Sequence, residues 1–161
     1  MENGQKFFTG QHAYRKFHST TTCLVELTDH IFEEIDNGNL VGLVSTDLSK
    51  AFDTLSHDLL LSKLGSLGVG RTALTWFHSY LSDRVQRVNL GDYKSTETKI
   101  EAGVPQGSIL GPVLFIAFTS DFHTSLNDCK VKAYADDTQI LVTAKTVEEL
   151  QLKIEETIKG K

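Results

Sequence analysis

The sequence predicts an α+β fold, an antiparallel sheet with helices packed on one face. Three observations carry this. Helical and strand-like segments are mixed without strict alternation. Hairpin signals occur around Gly91-Asp92 and around Asp136-Asp137. No internal repeat, low-complexity tract or Ser/Gly linker divides the 161 residues, so they are read as one domain.

The elements follow in order. Leu24, Leu27, Ile31, Phe32 and Ile35 recur at helical spacing behind Ser19, Thr20 and Thr21, with Gly38 beyond the end, which predicts an amphipathic helix. Leu40 to Asp47, with Val41, Leu43 and Val44, predicts a short buried strand. Ser56 to Leu67 and Thr72 to Leu81 predict two helices, separated where Gly65, Gly68 and Gly70 break the pattern. Val85 to Leu90 and Lys94 to Glu101 flank Gly91-Asp92 as a hairpin. Ser108 opens a helix through Phe118, and Pro112 is tolerated because it falls in the first turn. Cys129 to Ala135 and Thr138 to Thr143 are two strands around Asp136-Asp137. Thr146 with Glu149 forms a capping-box signature for a last helix carrying Val147, Leu150, Ile154 and Ile158.

Composition excludes several functions. A formal charge of −5 argues against a chain that holds nucleic acid mainly by a basic surface. Cys23 and Cys129 are far apart in sequence, so no disulfide framework or Cys-based zinc site is indicated, and both read as core residues in a reducing compartment. The longest apolar run, Ile109 to Phe118, is interrupted by Gly111 and Pro112 and is too short to span a membrane. The first residues lack the basic and apolar regions of a signal peptide. Ser56-His57-Asp58 has the letters of a hydrolase triad, but adjacent residues cannot form its geometry. The histidines show no paired metal-ligand spacing.

Three carboxylates stand at strand tips. Asp47 closes the first buried strand, and Asp136 and Asp137 sit at the second hairpin. If those strands are neighbours, the carboxylates meet at one sheet edge. Hard oxygen ligands so concentrated suit divalent cations, and two such ions can clamp a phosphoryl transfer. An Asp pair in a hairpin is otherwise an ordinary solvated turn. Phe52 follows Asp47 closely, and a bulky ring near a metal-bound carboxylate can exclude a sugar 2′-hydroxyl by contact. Gly103-Val104-Pro105-Gln106-Gly107-Ser108 offers a Gly-flanked loop, a side-chain amide and a helix N-terminus, features that bind phosphate. Arg84, Arg87, Lys94 and Lys99 are a possible template-facing stripe in a mildly basic stretch; a solvated hairpin face is the commoner meaning of such charges.

Taken in order, these stretches resemble the reverse transcriptase of non-LTR (LINE-type) retrotransposons. Gln11-His12-Ala13-Tyr14-Arg15-Lys16-Phe17-His18-Ser19-Thr20 is similar to the family's Gln-x-Gly-Phe-Arg-x-x-x-Ser-Thr block, with Ala13 and Tyr14 where Gly and Phe are usual. Asp47-Leu48-Ser49-Lys50-Ala51-Phe52-Asp53 resembles the first catalytic motif. Gly103 to Pro112 resembles the Gly-Val-Pro-Gln-Gly-Ser block, and Tyr134-Ala135-Asp136-Asp137 the twin-Asp motif. Trp76 to Val88 is similar to the segment that links them.

The resemblance implies roles for these residues. Asp47, Asp136 and Asp137 would hold two Mg²⁺ ions, with Mn²⁺ as a substitute. Phe52 would be the steric gate that favours deoxyribonucleotides. Lys50 and Ala51 would lie by the incoming triphosphate, Gln106 and Gly107 by the nucleotide and template, Tyr134 and Ala135 near the primer end. Arg15 would reach nucleotide or template from the fingers side. The implied fold is a polymerase palm-type antiparallel sheet with a partial fingers segment. Residues 1–161 would be a partial domain, about 1–39 fingers-side and about 40–161 palm, with thumb and endonuclease absent. The implied activity is RNA-directed DNA polymerisation on an RNA template with a DNA primer and dNTPs. Weak binding of nucleic acid by the chain alone, no membrane partner and an intracellular location, nuclear or cytoplasmic, are expected with it. The alternative from another class is a catalytically inactive, transposon-derived remnant without template–primer binding.

Overall fold

The computed structural model describes residues 8–47, 50–126 and 129–159. Leu48 and Ser49 of the first carboxylate motif lie outside them. In chain order the elements are α1 (Thr20–Asp36), β1 (Leu40–Thr46), α2 (His57–Ser66), α3 (Arg71–Leu81), β2 (Val85–Gln86), β3 (Asn89–Leu90), β4 (Tyr93–Lys94), β5 (Thr98–Lys99), α4 (Gly111–Phe118), β6 (Lys130–Tyr134), β7 (Asp137–Ala144) and α5 (Val147–Lys159). They form two units, Met1–Ser49 with Thr119–Lys161, and Lys50–Phe118.

The first unit is built on a three-stranded antiparallel sheet in the order β1-β7-β6. Val131, Ile140 and Val142 are buried on one face, where Val44, Leu150 and Ile154 pack against them. Opposed residues share a face, so Gly42, across from Val142, lies on this side too. A Cβ at Gly42 would stand 2.7 Å from Ile154 Cδ1, so the missing side chain is what lets α5 seat on the sheet. Side chains alternate along β6, which sends Lys132 to the other face, where Glu26 of α1 pairs with it. The α+β class holds, with one refinement: helices cover both faces of this sheet rather than one.

The helix signals are satisfied as the sequence predicts. Ser19 Oγ accepts the Thr22 N–H at 3.2 Å and Thr22 Oγ1 accepts the Ser19 N–H at 2.8 Å, a reciprocal cap for α1. Only part of the predicted apolar stripe of α1 is used. Cys23 and Leu27 are buried, while Leu24, Phe32 and Ile35 remain exposed. At α5, Thr146 Oγ1 accepts the Glu149 N–H at 3.2 Å.

The second unit is helical. Leu60, Leu64 and Leu81 from α2 and α3 pack with Leu114, Phe115 and Ala117 of α4, and with Leu55 and Val104 from the loops. Each Leu so buried contributes roughly 1.5–3 kcal/mol relative to exposure. α4 is apolar along its length and buries Leu114, Phe115, Ile116 and Ala117, while Val113 stays exposed. It starts at Gly111 rather than Ser108, because Ser108 Oγ is engaged in capping and accepts the Gly111 N–H at 3.0 Å. Pro112 still falls in the first turn. The stretch 85–99 turns back at Gly91-Asp92 as predicted, but as two short ladders, β2 with β5 and β3 with β4. Between them Ser95 Oγ takes the Val88 N–H at 2.9 Å, and the return strand carries an extra residue, a bulge.

Candidate active site

Strand register brings two of the predicted carboxylates to the same end of one ladder. The β1–β7 ladder ends at Thr46 across from Thr138, and just beyond that pair Asp47 follows Thr46 while Asp137 precedes Thr138. On the other side of β7, Tyr134 pairs with Asp137. Asp136 stands beside it in the turn, so Asp47, Asp136 and Asp137 gather at one end of the sheet. Asp47 and Asp137 are exposed and Asp136 is half-buried. Like charges so close in a sheet repel, and among the described residues no cation pairs with any of the three. Among the described residues no three or more His, Cys, Asp or Glu side chains are grouped so as to hold a metal ion by themselves. The edge is an open set of hard oxygens, suited to an ion that completes its shell with water and phosphate oxygens. That donor chemistry fits Mg²⁺.

The hairpin turn differs by one residue from its sequence prediction. The loop is Ala135-Asp136, and Asp137 is already part of β7. Ala135 takes a left-handed φ of +57°, a conformation that costs a residue with a Cβ. The cause lies far away in sequence. The side chain of Gln11, 3% exposed, closes on the Ala135 peptide from both sides. Its Nε2 donates to the Ala135 carbonyl at 3.1 Å, and its Oε1 accepts the Ala135 N–H at 2.9 Å and the Ala13 N–H at 3.0 Å. Backbone bonds hold the segment against β6: the His12 N–H donates to the Ala133 carbonyl and the Ala133 N–H to the Gly10 carbonyl, both at 2.8 Å. Arg15 braces the same segment, donating from Nη1 to the Gln11 carbonyl at 2.8 Å and to the Thr9 carbonyl at 3.1 Å. The motif block pointed to Arg15 and gave Gln11 no role; nothing in its local sequence marks so distant a contact.

A charged cluster flanks the far end of β6. Lys132 is nearly buried and pairs with Glu26, which holds the Glu26 carboxyl below the usual range. His12 is 1% exposed and its Nδ1 lies 3.0 Å from Thr22 Oγ1. Burial pushes its pKa down, against the opposing pull of Glu26 and with smaller contributions from Lys132, His18 and Arg15. Cys23 is a free thiol raised by burial, as a core residue should be. Cys129 is also free.

In the second unit the Gly-rich loop is strapped to the residues that follow the first carboxylate motif. The Gly103 N–H donates to the Leu55 carbonyl and the Val104 N–H to the Phe52 carbonyl, both at 2.8 Å. Gly103 has a φ of +84°, and a Cβ there would meet the Asp53 backbone at 2.7 Å, so no other residue fits. Gln106 Nε2 donates to Asp53 Oδ1 at 3.0 Å. Lys50, Arg84 and Gln106 line an open cleft of about 640 Å³, together with Asp53 and Glu101. Ala51 is buried, and Gly107 takes a φ of +78° outside the cleft lining. Phe52 stacks on Phe115 of α4 with ring centroids 4.8 Å apart. Of the basic stripe, Arg84 reaches the cleft, while Arg87 is paired with Glu97.

Comparison with known proteins adds to this geometry. Residues 1–159 match the family model for reverse transcriptase (RNA-dependent DNA polymerase). The RNA-directed DNA polymerase from mobile element jockey of Drosophila melanogaster is 34% identical over 144 residues, which cover 85% of this chain and 16% of that protein. The probable RNA-directed DNA polymerase from transposon BS of the same organism is 33% identical over 159 residues, 91% of this chain and 17% of that protein. The chain therefore spans under a fifth of the length of these relatives. Among solved structures, apo telomerase from Candida Tropicalis, truncated from the C-terminal domain, aligns with a TM-score of 0.64 at 16% identity, over 93% of this chain and 32% of that one. At that identity the likeness is one of fold, and it supports the α+β palm-type architecture. No helix among the described residues is long and apolar enough to cross a membrane.

Proposed function

The chain belongs to the reverse transcriptase (RNA-dependent DNA polymerase) family, of the non-LTR, mobile-element kind, and from that premise we propose that its carboxylate edge is the catalytic centre of an RNA-directed DNA polymerase. The observation that supports this reading is the strand register, which ends the β1–β7 ladder one residue short of Asp47 and sets Asp137 across from Tyr134, beside the Ala135-Asp136 turn. Residues from about 40 onward are the palm in this reading, and about 1–39 a fingers-side segment.

Asp47, Asp136 and Asp137 would hold two Mg²⁺ ions, or Mn²⁺ in their place. Bound there, such ions supply charge neutralisation for the attacking and leaving oxygens of a phosphoryl transfer. The primer 3′-oxygen forms a bond to the α-phosphorus of a dNTP, the bond to pyrophosphate breaks, and the hydroxyl proton leaves to solvent. The protein's part is positioning and electrostatics rather than a covalent intermediate. Phe52, fixed by its stack on Phe115, is suited to press on the sugar and turn away a 2′-hydroxyl. Lys50 and Ala51 serve the triphosphate, Gln106 and Gly107 the nucleotide and template, and Tyr134 and Ala135 the primer end. Arg15, spent on two backbone carbonyls, serves the site by holding segment 9–11 in place. The partners are an RNA template, a DNA primer and dNTPs.

The test is primer extension by the purified chain on poly(rA)/oligo(dT) with dTTP and Mg²⁺. Incorporation that disappears in Asp136→Asn is the expected result. Incorporation no greater than that variant's would overturn the reading for this chain and leave an inactive remnant of the family.

A further inference from the structure

We infer that Gln11 is the positioning residue of the carboxylate turn, a claim that rests on the catalytic reading of Asp136 and Asp137. Its carboxamide meets every requirement of a brace. It is buried at 3% exposure, so water does not compete for its hydrogen bonds. It engages both backbone polar groups of one residue, and so the two peptide units that flank it, with the Ala135 carbonyl at 3.1 Å and the Ala135 N–H at 2.9 Å. A third bond, from the Ala13 N–H at 3.0 Å, fixes which end of the amide is the acceptor. The residue it grips is the one non-glycine turn residue of this hairpin held at a left-handed φ of +57°. Immediately after it come Asp136 and Asp137. A change of φ at Ala135 would swing both carboxylates relative to Asp47.

The brace is itself anchored. Its segment runs parallel to β6, with Gln11 bridged to Ala133. A Cβ at Gly10 would collide with the Val131 carbonyl, so this close approach depends on glycine. Arg15 ties the Gln11 carbonyl from the other side. Gln11 thus touches no reacting atom; it acts on the site through the Ala135 peptide.

The test uses the ¹⁵N-labelled full chain, with Mn²⁺ alone as the probe. In Gln11→Leu the Ala135 amide should exchange with solvent roughly tenfold faster, while the Val131 and Leu141 amides keep their protection. Paramagnetic broadening at Asp136 and Asp137 should then need roughly ten to a hundredfold more Mn²⁺, the range expected for loss of a supporting partner of a metal ligand. Gln11→Glu keeps the acceptor for both N–H groups and should fall between Leu and the parent, which guards against a fold defect in the Leu variant. Adding Ala135→Gly, which needs no support at positive φ, should restore part of the Mn²⁺ affinity. An Ala135 amide as protected in folded Gln11→Leu as in the parent, or an unchanged Mn²⁺ requirement, overturns the inference. If the parent shows no Mn²⁺ broadening that Asp136→Asn removes, the catalytic reading fails instead, and the brace is judged by the Ala135 amide alone.

Discussion

The β3–β4 hairpin turns through Gly91 and Asp92, with Leu90 facing Tyr93, whereas the β6–β7 hairpin turns through Ala135 and Asp136, with Tyr134 facing Asp137. Their first turn residues have nearly the same φ, +58° at Gly91 and +57° at Ala135. Gly91 adopts it freely, and a Cβ there would meet nothing within 4 Å. Ala135 gives up roughly 1–2 kcal/mol for the same conformation, and is held in it by a side chain 124 positions away. One turn is set by its own sequence and the other is imposed by the fold. The imposed one carries the candidate chemistry, which agrees with the general tendency of strain to gather at functional sites.

The sharpest way to break this comparison is to exchange the second turn residues. Asp136→Asn should lower primer extension roughly 100-fold or more, while Asp92→Asn should leave it unchanged; equal effects would end the distinction. Next in size is Gly91→Ala, expected to cost about 1 kcal/mol in chemical denaturation, because nothing supports a Cβ at that φ. The pH response is smaller and specific to the sheet unit. His12 has its pKa lowered from 6.5 in the folded chain, so the unfolded chain binds the proton first, and stability present above pH 6.5 declines as pH falls below it. Glu26, lowered from 4.5, adds a second decline below that pH. Amide exchange at Val131 and Ile140 should follow both steps, and His12→Gln should remove the first. The smallest effect is expected from Ala135→Gly. It relieves the left-handed strain but frees the unfolded chain, and the net gain is below about 1 kcal/mol. A large gain in stability there would mean that Gln11 does not offset the strain.

Much of this architecture was legible because local signals decide it. Ser19, and Thr146 with Glu149, start their helices as read, and Thr22 completes the Ser19 cap. The apolar runs of β1 and β7 place two paired strands of the sheet, although β1, read as a buried strand, is an edge strand with Leu40 and Leu43 exposed. What helix and strand patterns could not supply came from particular side-chain contacts, some near in sequence and one remote. Ser108 reads as a helix residue but serves as a cap. The hairpin at 85–99 splits because Ser95 intrudes on the ladder at Val88. The loop at 135–136 reads as 136–137 because Asp is the better turn former, and only the grip of Gln11 explains why Ala135 turns instead.

The parallel docking of Gly10–His12 on β6 also orders the assembly in time. Closing a chain loop of that span from the open coil would cost about 4 kcal/mol in entropy. The pairing of Leu40 with Ala144 has already drawn the two ends of the unit together, so the last approach is short. The sheet is therefore expected to form before the glutamine clasps it. During synthesis Gln11 leaves the ribosome long before its partner exists. The turn bearing two of the three aspartates becomes correct only when the earliest described part of the chain returns to meet one of the latest.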